Sequence, residues 1–160
     1  MQRNLIISCS DDKCIKVWKF LSWNFCLSQT ISKVENGHDK EVLCLIKMDR
    51  NIFLSGSGDS SIKIWEGSEN LQNFYCIQTL YEENGGHLRS VWCLTELSEK
   101  QFASGSLDKT IKIWNFFNEK YTCIATLSIE TGGHSHWVSC LLAMRKDVFV
   151  SGSWDKSLKI

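Results

Sequence analysis

One eleven-residue pattern occurs three times in full and a fourth time through its first ten residues in a sequence of 160, and it constrains the fold more than any other feature. Ser8-Cys9-Ser10-Asp11-Asp12-Lys13-Cys14-Ile15-Lys16-Val17-Trp18 superposes without gaps on Ser55-Gly56-Ser57-Gly58-Asp59-Ser60-Ser61-Ile62-Lys63-Ile64-Trp65. It superposes equally on the segments that begin at Ser104 and Ser151. The aspartates of this column, Asp12, Asp59, Asp108 and Asp155, are 47, 49 and 47 residues apart. Gly37-His38, Gly86-His87 and Gly133-His134 form a second column, each His 21 residues before its Asp. Self-similarity at this period means one supersecondary unit stacked on copies of itself.

The unit has strand character. Val42-Leu43-Cys44-Leu45-Ile46, Ile52-Phe53-Leu54-Ser55 and Phe74-Tyr75-Cys76-Ile77-Gln78-Thr79-Leu80 are short β-rich runs separated by Gly, Asn, Asp and Ser. Ile62 and Ile64 alternate with Lys63, as Ile111 and Ile113 do with Lys112, which is the period of a half-buried strand. No segment has a convincing helical period. Four short strands per repeat of this length is the signature of a propeller blade.

The combined pattern, Gly-His followed by Ser-Gly-Ser-x-Asp-x-Ser/Thr-Ile-Lys-Ile-Trp, resembles the WD40 repeat family, with Trp-Glu or Trp-Asn in place of the namesake dipeptide. The resemblance covers essentially residues 1–160, with repeats at about 1–18, 37–65, 86–114 and 133–160 and outer strands between them. It implies an all-β fold, a partial propeller of about three and a half four-stranded antiparallel blades in an open arc. Each sequence repeat would supply the outer strand of one blade and the three inner strands of the next.

Three of the four repeats hold a Ser, a His and an Asp, so hydrolysis has to be weighed. In WD repeats these groups resemble a structural tetrad completed by the Trp. By position the sets are His38, Ser55, Asp59 and Trp65, then His87, Ser104, Asp108 and Trp114, then His134, Ser151 and Asp155. Repetition favours glue over catalysis, because an active site needs one asymmetric constellation. No nucleophile elbow, phosphate loop or His-Glu-x-x-His motif is present. The expectation is a chain without catalytic residues, cofactor or metal.

The eight cysteines include no Cys-x-x-Cys pair, so they do not read as a zinc framework. Cys44, Cys93 and Cys140 each follow a Val by two positions, and Cys26, Cys76 and Cys123 each precede a Leu or Ile. Cysteine recurring in this way reads as a small buried hydrophobe, and free thiols fit a reducing cytoplasm or nucleus. The formal net charge is zero, which argues against nucleic acid as the partner. No apolar run approaches the ~20 residues that span a bilayer.

If the repeated columns hold the fold, the variable columns on exposed loops are where partners bind. One is two residues after the His: Lys40, Arg89 and His136. The other precedes the turn Asp: Asp11, Gly58, Leu107 and Trp154. Together they suggest a basic arc beside an aromatic surface, suited to proteins or peptides with acidic or phosphorylated segments. Trp92 and Trp137 flank the start of the inner strand and are expected to reach this rim as well. The competing reading is that the basic residues are simply solvated and the tryptophans pack between blades. The aromatic run from Trp18 to Phe25 reads either as a blade-edge contact or as packing around a tight turn.

Counted by strand type, the chain opens at the second strand of one blade and stops within the third strand of another. That total cannot close a ring. Two copies would give eight blades, four of them lacking an inner or an outer strand. The expectation is therefore a fragment of a longer seven- or eight-bladed protein, with self-association possible through its open edges. Its function is expected to be that of a protein-interaction scaffold. The alternative is the substrate-recognition module of a larger enzyme, such as a ubiquitin ligase or a WD-repeat kinase.

Overall fold

A computed structural model describes residues 5–49, 51–68, 73–145 and 148–160, so residues 1–4 of the first repeat lie outside it. Its strands fall into four antiparallel sheets. The first holds β1 (Leu5–Cys9), β2 (Ile15–Leu21) and β3 (Asn24–Ile31). The second holds β4 (Val42–Asp49), β5 (Ile52–Ser57), β6 (Ile62–Gly67) and β7 (Phe74–Leu80). The third holds β8 (Val91–Ser98), β9 (Gln101–Ser106), β10 (Ile111–Phe117) and β11 (Lys120–Leu127). The last holds β12 (Val138–Arg145), β13 (Val148–Ser153) and β14 (Leu158–Lys159). Each sheet is a meander, and β4, β8 and β12 sit side by side along the inner edge. The result is the open partial propeller expected from the repeat, with three strands in each end blade.

The core lies between blades. Ile15, Val17 and Ile31 of the first blade pack on Val42, Phe53, Trp65 and Phe74 of the second. Leu54, Ile62, Ile64 and Leu80 of the second pack in turn on Val91, Phe102, Trp114 and Tyr121 of the third. Each seam thus presses an aliphatic face onto an aromatic one. The third seam, around Cys93, Ala103, Ile111 and Val138, is smaller.

The repeated Ser-Gly-Ser glycine belongs to these seams. A Cβ on Gly105 would stand 2.6 Å from Cys93 Sγ and 2.6 Å from Val138 Cγ1 of the next blade. Gly56 is enclosed in the same way by Cys44 and Val91. At the open end, Gly152 meets only Cys140 and Leu158.

A second seam device is a glutamine clasp. Gln29 on β3 donates its amide to the Phe74 carbonyl (3.0 Å) and accepts the Phe74 N–H (2.8 Å). Gln78 on β7 holds Tyr121 likewise, with both bonds at 2.8 Å. Each outer strand thereby grips the backbone of the next blade's outer strand. In the third blade the column is occupied by Ala125, opposite Ile113 as Gln78 is opposite Ile64. Gln78→Ala removes two hydrogen bonds to the Tyr121 backbone and is expected to cost about 1–3 kcal/mol. Ala125→Gln should change stability by less than about 0.5 kcal/mol. The urea midpoints of the two variants check this, and equal midpoints would remove the clasp from the account.

Three single turns of 3-10 helix, Lys33–Glu35, Glu82–Asn84 and Ile129–Thr131, lead into the Gly-His pairs. They are too short to leave a period in the sequence. A left-handed residue closes each: Asn36, Gly85 or Gly132. The cysteine columns are corrected in one place. Cys76 and Cys123 stand opposite Trp65 and Trp114, but Leu27, not Cys26, stands opposite Trp18. Cys26 is one residue out of register and exposed, as is Cys140, and only Cys93 is fully buried. The column at the inner strand does pack: the Cys44 thiol faces Val91 O at 3.8 Å, and the Cys93 thiol faces Val138 O at 3.9 Å. Burial drives both thiols away from ionisation, Cys93 being pushed up to about 12.

Candidate functional site: a buried relay under an aromatic rim

Indole can only donate a hydrogen bond and a carboxylate can only accept, and these two facts set the direction of the repeated polar chain. Trp65 Nε1–H donates to Ser55 Oγ at 2.8 Å. Ser55 Oγ lies 2.7 Å from His38 Nε2, and His38 Nδ1 lies 2.9 Å from Asp59 Oδ2. With its lone pair taken by the indole, Ser55 directs its O–H to Nε2. Nδ1–H is then left for the carboxylate. The second set repeats this: Trp114 to Ser104 (2.8 Å), Ser104 to His87 (2.7 Å) and His87 to Asp108 (2.8 Å). In the third, His134 meets Ser151 at 2.9 Å and Asp155 at 2.8 Å.

Sequence reasoning missed a fifth member. Ser61, Thr110 and Ser157 each donate their hydroxyl to the turn Asp at 2.6 Å. The same Asp accepts their backbone N–H and that of the residue after the His. Four donors thus converge on one carboxylate. Burial alone would raise the Asp59 and Asp108 pKa values, but the hydrogen bonds from His38 and His87, with those from the hydroxyl and N–H of Ser61 and Thr110, hold them well below the usual range. The Ser157 hydroxyl leads the same effect at Asp155, assisted by His134.

The hydrogen-bond polarity is that of a serine hydrolase, but the setting is not. Ser55 and Ser104 are fully buried, and each Oγ is capped by an indole. A substrate carbonyl has no route to them. Among the described residues no group of three His, Cys, Asp or Glu could hold a metal, and no helix is long and apolar enough to cross a membrane.

Above the relay, the turn before β6, β10 or β14 is stitched to the loop after the His. Ser106 Oγ donates to Arg89 O (3.0 Å) and Leu107 N–H to Ser90 O (3.0 Å). Ser153 Oγ donates to His136 O (3.1 Å) and Trp154 N–H to Trp137 O (3.0 Å). The two variable columns are therefore neighbours within each blade. In the last blade they merge into one aromatic cluster. Trp154 lies 5.6 Å from Trp137 and 6.4 Å from His136, and His136 lies 5.0 Å from Trp137. His136 Nδ1 accepts the Trp137 N–H at 2.9 Å.

Trp154 is 64% exposed and is no seam residue, and Lys40 and Arg89 are exposed as well. Leu107 is half-buried. Trp92 is exposed on β8, outside the cluster. The arc is less uniformly basic than its columns suggest. The Glu41 carboxylate occupies the space a Cβ on Gly58 would need, and Asp39 pairs with Lys33 at 2.6 Å. Across the blades the rim runs from mixed charge to aromatic.

No curated protein matches the chain significantly. Among solved structures, the chain is similar to the computationally designed Ika4 protein at 27% identity with a TM-score of 0.75, covering 99% of this chain and 85% of that one. It also resembles the WD40 beta propeller domain of Doa1, at 22% identity and a TM-score of 0.76, covering 97% of this chain and 45% of that one. The second likeness speaks to the fold alone. The family described as WD domain, G-beta repeat matches at residues 2–19, 29–66, 74–115 and 121–160, so with the blades, seams and relays already in place, this chain belongs to the WD40 repeat family.

Proposed function

We propose that the chain is a non-catalytic protein-interaction platform that holds a peptide segment across its rim. The observation that carries this is the His136-Trp137-Trp154 cluster, which leaves a large apolar surface in water on a rigid turn. Trp and Arg are the residues most often found as energetic anchors of interfaces. Trp154 acts as the apolar anchor, and Arg89 and Lys40 attract acidic or phosphorylated residues flanking it. The packed thiols of Cys44 and Cys93 support a reducing compartment, cytoplasm or nucleus, as the place of action. Whether the platform serves a free-standing scaffold or a larger enzyme, the binding face is the same.

The test is an array of fluorescent acidic and phosphorylated peptides against the chain and against Trp154→Ala and Arg89→Ala. Each substitution is expected to weaken the best binder by about tenfold or more, equivalent to about 1.4 kcal/mol. Both side chains are exposed, so melting temperatures should not move. Affinity unchanged in both variants would defeat the rim as the binding face.

A further inference from the structure

In the second and third blades a thiol, a hydroxyl and an ammonium group meet on one face of the sheet. A β-bulge in the outer strand makes this possible, because it brings residues three apart to the same side. Cys76 stands opposite Trp65 and Thr79 opposite Lys63, as Cys123 stands opposite Trp114 and Thr126 opposite Lys112. Lys63 Nζ donates to Thr79 Oγ1 at 3.2 Å, and the same hydroxyl lies 3.6 Å from Cys76 Sγ. The corresponding distances in the third blade are 3.2 Å and 3.8 Å. The two S–H groups are directed at the carbonyls of Gln78 (3.5 Å) and Ala125 (3.4 Å).

Packing does not require the sulfur. The first blade has the same lysine and threonine, Lys16 and Thr30, with Leu27 in the place of the thiol. Cys76 and Cys123 are half-buried, in contrast to Cys93. Cys76 opens into a cavity of about 260 Å³ that Asn36, Lys63, Ile77, Gln78 and Thr79 line with it. Among the described residues, neither Lys63 nor Lys112 is paired with a carboxylate. Each of the two blades thus holds a reachable nucleophile beside a cation that has no anion of its own.

We propose that Cys76 and Cys123 are sites of reversible thiolation by small anionic disulfides, of the class of oxidised glutathione. The Cys76 sulfur, its proton given up to water, attacks one sulfur of the disulfide. A new S–S bond forms and the old one breaks. The departing sulfur keeps the electron pair of the broken bond and takes up a proton. During this exchange the negative charge is shared along the three sulfurs. Lys63, acting through the Thr79 hydroxyl, stabilises that charge and offers a partner to a carboxylate of the reagent. Lys112 and Thr126 do the same for Cys123. Cys76 and Cys123 are the reacting groups, and the lysines and threonines are positioning residues. Cys14 provides the contrast: it is half-buried too, but near it two carboxylates, Asp12 and Glu35, face one ammonium, Lys16.

The test incubates the folded chain with oxidised glutathione at neutral pH, quenches it with acid at intervals and locates the adducts by peptide mass spectrometry. Adducts at Cys76 and Cys123 are expected to form about fivefold faster than at Cys14, and dithiothreitol should remove them. Lys63→Met should slow Cys76 by about fivefold and leave Cys123 unchanged, and Lys112→Met should do the reverse. Where Lys63→Met alters the circular dichroism, Thr79→Val is read in its place. With bis(2-hydroxyethyl) disulfide, which carries no carboxylate, the loss caused by Lys63→Met should be smaller. Equal rates at Cys14 and Cys76 overturn the proposal, and so does a Cys76 rate that neither variant changes. An equal loss with the uncharged reagent overturns the preference for anionic disulfides.

Discussion

Asp108→Ala is expected to lower stability by about 3–5 kcal/mol, because several donors that met one carboxylate lose their acceptor at once. Its Oδ2 accepts His87 Nδ1–H at 2.8 Å and the Leu88 N–H at 3.0 Å. Its Oδ1 accepts the Thr110 N–H at 2.9 Å and the Thr110 hydroxyl at 2.6 Å. Alanine leaves these donors facing one another. Asn keeps the shape but turns one end into a donor, so Asp108→Asn should fall between. The same carboxylates give the protein an acid limb. An unfolded Asp titrates near about 3.9, and in the fold Asp59 and Asp108 titrate well below this. The folded state thus binds fewer protons between those values. The stabilisation is complete above pH about 4 and is lost as pH falls through the folded values. Urea midpoints measured across this range should decline for the unaltered protein and decline less for Asp108→Ala. Parallel curves would mean that Asp108 contributes nothing to the acid limb.

Trp114→Ala should cost a comparable amount, about 3–5 kcal/mol, by opening a cavity in the central seam. Trp114 is fully buried and stacked on Phe102 at 5.8 Å, and Phe102 packs in turn on Tyr121 at 5.2 Å. Its N–H also fixes the direction of the relay through Ser104. Trp114→Phe keeps most of the stack and drops the donor, so it should cost less, with about 1 kcal/mol assigned to the hydrogen bond. Trp154→Ala, by contrast, removes an exposed ring and should change stability by less than about 0.5 kcal/mol. Equal losses at Trp114 and Trp154 would contradict the division between a tryptophan that holds blades together and one that meets partners.

What could be read ahead of the structure followed from chemistry that allows few substitutes. A relay that begins on an indole and ends on a carboxylate needs His, Ser, Asp and Trp at fixed offsets, so its columns survive as residue identities. The open arc could be read because strand counting depends on those columns. Features whose partner is backbone stayed hidden. Gln29 and Gln78 resemble any polar residue on an outer strand until the next blade brings a peptide group against them. Ser61 and Thr110 looked like ordinary strand-opening residues, because their role depends on the turn that aims Asp59 and Asp108 at them. Cys26 was misplaced because a neighbouring Leu or Ile is a weak anchor for register, whereas the Trp opposite is a firm one. At the rim, the side-chain types pointed to a binding face, but the acidic Glu41 over Gly58 could not be seen from either column.

The uneven distribution of glutamine clasps has a dynamic consequence. The first two seams are tied at their outer edge and the third, with Ala125 in that column, is not. In hydrogen exchange the third seam is expected to open before the other two, since it also has the smallest buried cluster among the described residues. His136, Trp137 and Trp154 ride on the last blade, while Arg89 and Leu107 belong to the one before. A ligand gripping both therefore bridges the loosest joint in the arc, and its binding energy becomes protection against opening at that joint.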